Sequence, residues 1–223
     1  MKNRIHIESR EMFVKLFHIV NILSSKFNID ESHGLLHSMQ ILHFANEIYE
    51  NEKYNYPILE SKKQADIIYV AAILHDMCDK KYMNESEGIV EIHKLWKQEI
   101  GYKSEDNEIM DIATKIIRTM SYSKVKKVGY PELGDYQMAY HIVRESDLLC
   151  AYDFDRSMIY HIHTNKCSII EAYNNAHTIF CDRILRHNQD NLFVTEYGKR
   201  KSMQLHILSI QRMMAWKKIL FRV

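Results

Sequence analysis

Ala71-Ala72-Ile73-Leu74-His75-Asp76, continued by Met77-Cys78-Asp79-Lys80-Lys81-Tyr82, is the stretch around which the chain is organised. An apolar run delivers a histidine and a carboxylate side by side, with a second acid and two lysines in the next five residues. From Ile67 to Leu74 nearly every position is apolar, which predicts a helix that is central and buried on most of its sides. An ionised Asp at the end of such a helix is costly unless a metal, a cation or several donors compensate it. Imidazole and carboxylate together make a borderline-hard ligand set, suited to Mn, Fe, Zn or Mg rather than to thiolate-seeking ions. Two adjacent residues cannot close a coordination sphere, so further ligands must come from elsewhere in the chain.

Outward from this stretch, apolar residues recur at three-and-four spacing. Met12, Leu16, Ile19, Val20 and Leu23 trace one stripe of a helix over 11–27. A second helix is predicted from Ser32 as N-cap, with Leu36, Met39, Leu42 and Ile48 turned inward. Further helices are predicted over 61–76, 86–100 (stopped by Gly101), 106–120, 136–151, 166–187 and 196–218, with 129–134 as the clearest loop. Six Gly and two Pro are too little turn chemistry for a many-stranded β fold. The expected class is therefore all-α, a compact multi-helix bundle in one domain over 1–223. Its motif-bearing core is expected at about 30–156, with closing helices over about 165–220.

Thirty basic and 29 acidic residues give a formal charge of +1, so no bulk field draws the chain to nucleic acid or an anionic membrane. Cys78, Cys150, Cys167 and Cys181 form no CxxC pair, which argues for reduced thiols rather than a disulfide framework. No apolar signal region follows Met1, and no run approaches the roughly 18 residues of a membrane span. The expectation is a cytoplasmic protein without a membrane.

His33 and His37 stand four apart and share a face if both are helical, with Gly34 disfavouring regular helix at His33. His37 is thus the stronger ligand candidate, although any single one of 13 histidines is ordinarily just a hydrogen-bonded core residue. Asp147 sits on an otherwise apolar helical face with Ile142, Val143, Leu148 and Ala151, and its bland alternative is a salt bridge with Arg144.

His37, then His75-Asp76, then Asp147 resembles the H…HD…D signature of the HD-domain superfamily of metal-dependent phosphohydrolases. Ser32-His33-Gly34-Leu35-Leu36-His37, Leu74-His75-Asp76 and Arg144-Glu145-Ser146-Asp147-Leu148-Leu149 are similar to the three ligand segments of that family. The run through Asp79, Lys81 and Tyr82 resembles a branch of small single-domain members that includes nucleotide pyrophosphohydrolases. The chain departs at Gln40, where many members carry Arg.

The resemblance implies that His37, His75, Asp76 and Asp147 ligate one divalent cation, Mn first, with Fe, Mg, Ni or Co as the others. Such an ion makes hydroxide available near neutral pH and offsets charge on phosphorus. Asp76 and Asp79 are then the catalytic candidates, Asp79 as general base or, equally, as a helix cap. Lys81 and His33 are candidates for substrate binding. A second anion patch is read in Arg118-Thr119-Met120-Ser121-Tyr122-Ser123-Lys124, where Arg118, Ser121, Ser123 and Lys124 suit a polyphosphate tail and Tyr122 a base or sugar. Its plain alternative is a solvated basic turn. Asp153 and Arg156 either orient ligands and hold substrate or form an internal ion pair.

The expected reaction is hydrolysis of a nucleoside triphosphate to monophosphate and pyrophosphate. Release of a terminal phosphate is the nearest rival, and a catalytically silent metal- or nucleotide-binding regulatory module the non-enzymatic one. A di-iron oxygenase needs extra histidines between the doublet and the last Asp, where His93 and His141 lie in poorly matching surroundings. Nucleic-acid binding through Lys124, Lys126 and Lys127 is a weaker alternative. The long last helix, with Leu205, Leu208, Met213 and Trp216, either closes the core or pairs two subunits of a homodimer.

Overall fold

The computed structural model describes residues 2–101 and 103–222, with side chains from residue 11 onward. The fold is all-α, 76% helical, with ten α-helices and no strand among the described residues. In chain order these are α1 (Lys2–Phe27), α2 (Leu35–Glu52), α3 (Lys62–Leu74), α4 (Glu85–Glu99) and α5 (Ser104–Thr119). There follow α6 (Tyr122–Val128), α7 (Gln137–Cys150), α8 (Phe154–Thr164), α9 (Ile169–Asp182) and α10 (Glu196–Phe221). No described helix is long and apolar enough to cross a membrane.

α3 is the axis. Ser61 opens it, its hydroxyl accepting from Gln64 N at 3.2 Å, and Ile67, Ile68, Val70, Ala71, Ala72, Ile73 and Leu74 are fully buried. α1, α2, α5 and α7 pack around it. Its last turn gives way to a tight turn, so His75 and Asp76 leave the helix at a point walled by α2 on one side and α7 on the other.

The sequence expectations fail where side chains find other partners. Ser32 does not cap α2: its hydroxyl meets His33 Nδ1 at 2.7 Å, and the helix starts after Gly34. A Cβ at Gly34 would lie 3.0 Å from the Asp30 carbonyl, so the chain passes itself closely there. With α2 starting later, Leu36 and Met39 are exposed, and His37, Ile41, Ala45 and Ile48 form the inward stripe. The long helix predicted over 166–187 begins only at Ile169, where Ser168 and Glu171 make a capping box, and ends where Arg183 leaves helical geometry. α6 and α8 were not anticipated; Asp153 caps α8 by accepting from Arg156 N at 3.1 Å, and Phe154, Met158 and His161 are its buried stripe. α10 buries Met213 and half-buries Leu205 and Trp216, while Leu208 stays exposed beside Met203, Ile207 and Met214.

α4 crosses so close to the turn after Asp76 that a Cβ on Gly88 would lie 2.6 Å from Cys78 Cβ and 2.7 Å from its Cα. Backbone cannot yield as a flexible side chain can. Gly88→Ala is therefore expected to destabilise by about 1–3 kcal/mol through overpacking, more than the helix gains from alanine. Thermal unfolding checks this, and a raised melting temperature would refute it.

Candidate metal centre

Ligand atoms of His37, His75 and Asp76, one from each, lie within 4.8 Å of one another. Asp76 Oδ2 is 3.2 Å from each imidazole nitrogen. Adjacent ligand atoms around an ion with bonds near 2.1 Å are separated by about 3 Å, so both edges have the length that a divalent cation requires. Asp147, from α7, stands outside this triplet: its Oδ1 is 3.9 Å from His37 Nε2. The salt bridge with Arg144 does not form. Arg144 instead donates to the Leu192 carbonyl and stacks on Tyr130 at 4.8 Å, so Asp147 lines an adjoining cavity with no hydrogen bond from Arg144.

The imidazoles are oriented from behind. His75 Nδ1 is 2.9 Å from the Ala72 carbonyl, which fixes its proton there and turns Nε2 toward Asp76. Nε2 of His75 is buried and lacks a hydrogen bond of proper geometry, as does Nδ1 of His37. Arg156 Nη1 lies 3.2 Å from His37 Nε2 and 3.0 Å from the Ser32 carbonyl. A guanidinium can only donate, so His37 presents a lone pair to the centre.

Burial, reinforced by Arg156, pushes His37 down to about 4, so it is neutral at pH 7. Burial acts on His75 in the same direction, but Asp76 and then Asp147 more than reverse it and hold His75 up at about 9. Asp76, which burial would raise, is held well below the carboxylate range by His75 and His37. A divalent cation would take the place of the His75 proton beside these carboxylates. The donor set fits a divalent ion.

In front lies a cavity of about 320 Å³. His75, Asp76 and Asp147 face it, whereas His37 is fully buried behind them. Asp79 also lines it and closes the turn, with Oδ1 accepting from Lys81 N at 2.8 Å. Lys81 Nζ reaches His33 Nε2 at 2.8 Å, and the other face of His33 meets Tyr82, whose hydroxyl donates to Asp30 at 2.7 Å. Burial holds His33 neutral, at about 3, so it accepts from Lys81 and steadies it.

Ser121, Tyr122, Ser123 and Lys124 line the wall, as does Arg156. Lys124 is bound to Glu85 at 2.6 Å and to the Arg118 carbonyl at 2.7 Å. Arg118 itself is exposed at the last turn of α5 and does not line the cavity, whereas its expectation as an anion contact places it there. Asp153 and Arg156 form no ion pair, since Asp153 caps α8 and Arg156 reaches across to α2. His93 is engaged by Thr114, and His141 packs on Tyr130 and Tyr140, so neither histidine joins the centre.

Arg183 is the wall residue that sequence reading missed. Its signal was a cation one residue before Ile184 on the stripe of Ala172, Ala176 and Phe180, a face otherwise apolar. Behind it lies His187, fully buried with both ring nitrogens unpartnered and pushed down to about 3 by burial and then by Arg183. The unfolded chain takes up this proton below about pH 6.5 and the folded chain resists. Stability is therefore expected to fall as pH drops from 6.5 toward 3, by roughly 1 kcal/mol per pH unit from this group. Melting curves at pH 7 and 5 for the natural chain and His187→Phe test it, and an unchanged difference between the two pH values would reject it. No family model, no curated protein and no solved structure matches this chain.

Proposed function

We propose that the chain is an HD-type metal-dependent phosphohydrolase acting on nucleotides, splitting a nucleoside triphosphate into monophosphate and pyrophosphate. The observation that carries this reading is the convergence of two imidazoles and a carboxylate within 4.8 Å beside a cavity lined by Lys81 and Arg156. The choice of nucleotide and of bond follows from the resemblance of the segment through Lys81 and Tyr82.

His37, His75, Asp76 and Asp147 would hold the ion, with Mn the first choice. When bound, such an ion lowers the pKa of water and offsets charge on the phosphoryl group. Lys81, steadied by His33, donates to a phosphoryl oxygen and fixes the phosphorus near Asp76. Asp79 takes the proton of the attacking water, whose oxygen forms the new P–O bond as pyrophosphate leaves. Arg156 donates to the same phosphate chain.

The test is a screen of purified protein against nucleoside mono-, di- and triphosphates with several divalent ions, resolving phosphate from pyrophosphate. Pyrophosphate release from triphosphates supports the reading; terminal phosphate release alone replaces the bond assignment. Nucleotide binding without turnover under any ion would leave a regulatory module. A homodimer would use the face of α10 that carries Met203, Ile207 and Met214.

A further inference from the structure

The cations around the cavity differ in what they already hold. Lys81, Lys124 and Arg156 each contact a neighbouring side chain or carbonyl, and Lys80 is exposed to solvent. Arg183 is different. It is partly buried, its Nε is shut away from water without a hydrogen-bond partner, and its guanidinium forms no ion pair among the described residues. A guanidinium removed from water normally gains partners in exchange.

Its position is nonetheless fixed. The guanidinium lies over the Tyr122 ring at 4.1 Å, and that ring also faces His187, which burial keeps neutral. Tyr122 thus gives Arg183 a fixed platform on the cavity wall. Burial acts first on Arg183, lowering it, and the groups whose charge acts on it are Asp147, Tyr122 and Arg156, all on the same cavity wall. A stacked guanidinium keeps its flat face occupied, and with Nε buried it is the Nη1–Nη2 edge that suits two oxygens of a phosphate.

We propose that Arg183, held by Tyr122, seats a second phosphoryl group, so that the substrate of this cavity carries at least two linked phosphoryl groups. The first lies by Asp76, Lys81 and Arg156; the second lies on Arg183. This rests on the phosphohydrolase reading and gives the polyphosphate chain of its substrate a second anchor on this cavity wall.

The experiment is calorimetric titration of orthophosphate and of inorganic pyrophosphate into the full chain stripped of metal, at low salt. Pyrophosphate is expected to bind at least tenfold more tightly than orthophosphate. Arg183→Gln should weaken pyrophosphate by about ten- to a hundredfold and leave orthophosphate within about twofold. Arg183→Lys, which keeps the charge and loses the fork, should fall between, and it serves if the Gln variant does not fold. Equal affinity for the two anions, or a preference that survives both substitutions, overturns the proposal. A chain that hydrolyses nucleotides while its anion preference ignores Arg183 sinks this inference alone. Turnover absent under every ion, with the Arg183-dependent preference intact, sinks the enzymatic reading and leaves the two-phosphate seat.

Discussion

Asp76→Ala is expected to abolish hydrolysis, with kcat/KM falling at least about a thousandfold, and to remove divalent-ion binding at the same time. Asp76 contributes the oxygen that lies 3.2 Å from both imidazole nitrogens, so no neighbour can replace it. Its charge is also what holds His75 up against burial. Without it the proposed centre keeps His37, His75 and the more distant Asp147, and loses the one oxygen in contact with both imidazoles. The readout is double: turnover with Mn, and the rise in melting temperature that an ion binding the folded chain produces. The natural chain should be stabilised by added Mn and the variant should not. Retained turnover in the variant would put the reaction elsewhere.

Glu145→Ala should carry the largest stability loss, about 3–5 kcal/mol. Glu145 is fully buried on α7, and burial pushes its carboxyl up, against the donors around it. It accepts from Val194 N at 2.6 Å and from the Thr195 hydroxyl at 2.5 Å, and Thr195 caps α10 by accepting from Gly198 N at 2.9 Å. Truncation strands these buried donors and leaves a void where the carboxylate stood. Denaturant unfolding measures the loss. Glu145→Gln, which keeps an acceptor, should lose less, and equal losses in the two variants would contradict this account.

The buried axis and the helix-rich class were legible because apolar spacing reports burial directly, and Ile67 to Leu74 is apolar for that reason. His75 and Asp76 were legible because a carboxylate at the end of an apolar helix needs an explanation, and His37 because it stands four residues from His33, the spacing of one helical face. What escaped depends on side-chain partners that no spacing encodes. Ser32 looked like a cap until its hydroxyl turned to His33. Arg118 and Arg183 are both arginines near helix ends; only the break after Asp182 sends the second to the cavity and leaves the first in solvent. The Ser168–Glu171 pair is a start signal carried by the sequence itself, two residues after the expected start at 166.

The contact between Arg156 and His37 has a kinetic consequence. One lone pair serves one electrophile at a time, so anything that takes His37 Nε2 must first evict the guanidinium standing 3.2 Å from it. Filling the proposed centre would thereby require the Arg156 guanidinium, which also donates to the Ser32 carbonyl at 3.0 Å, to give up His37.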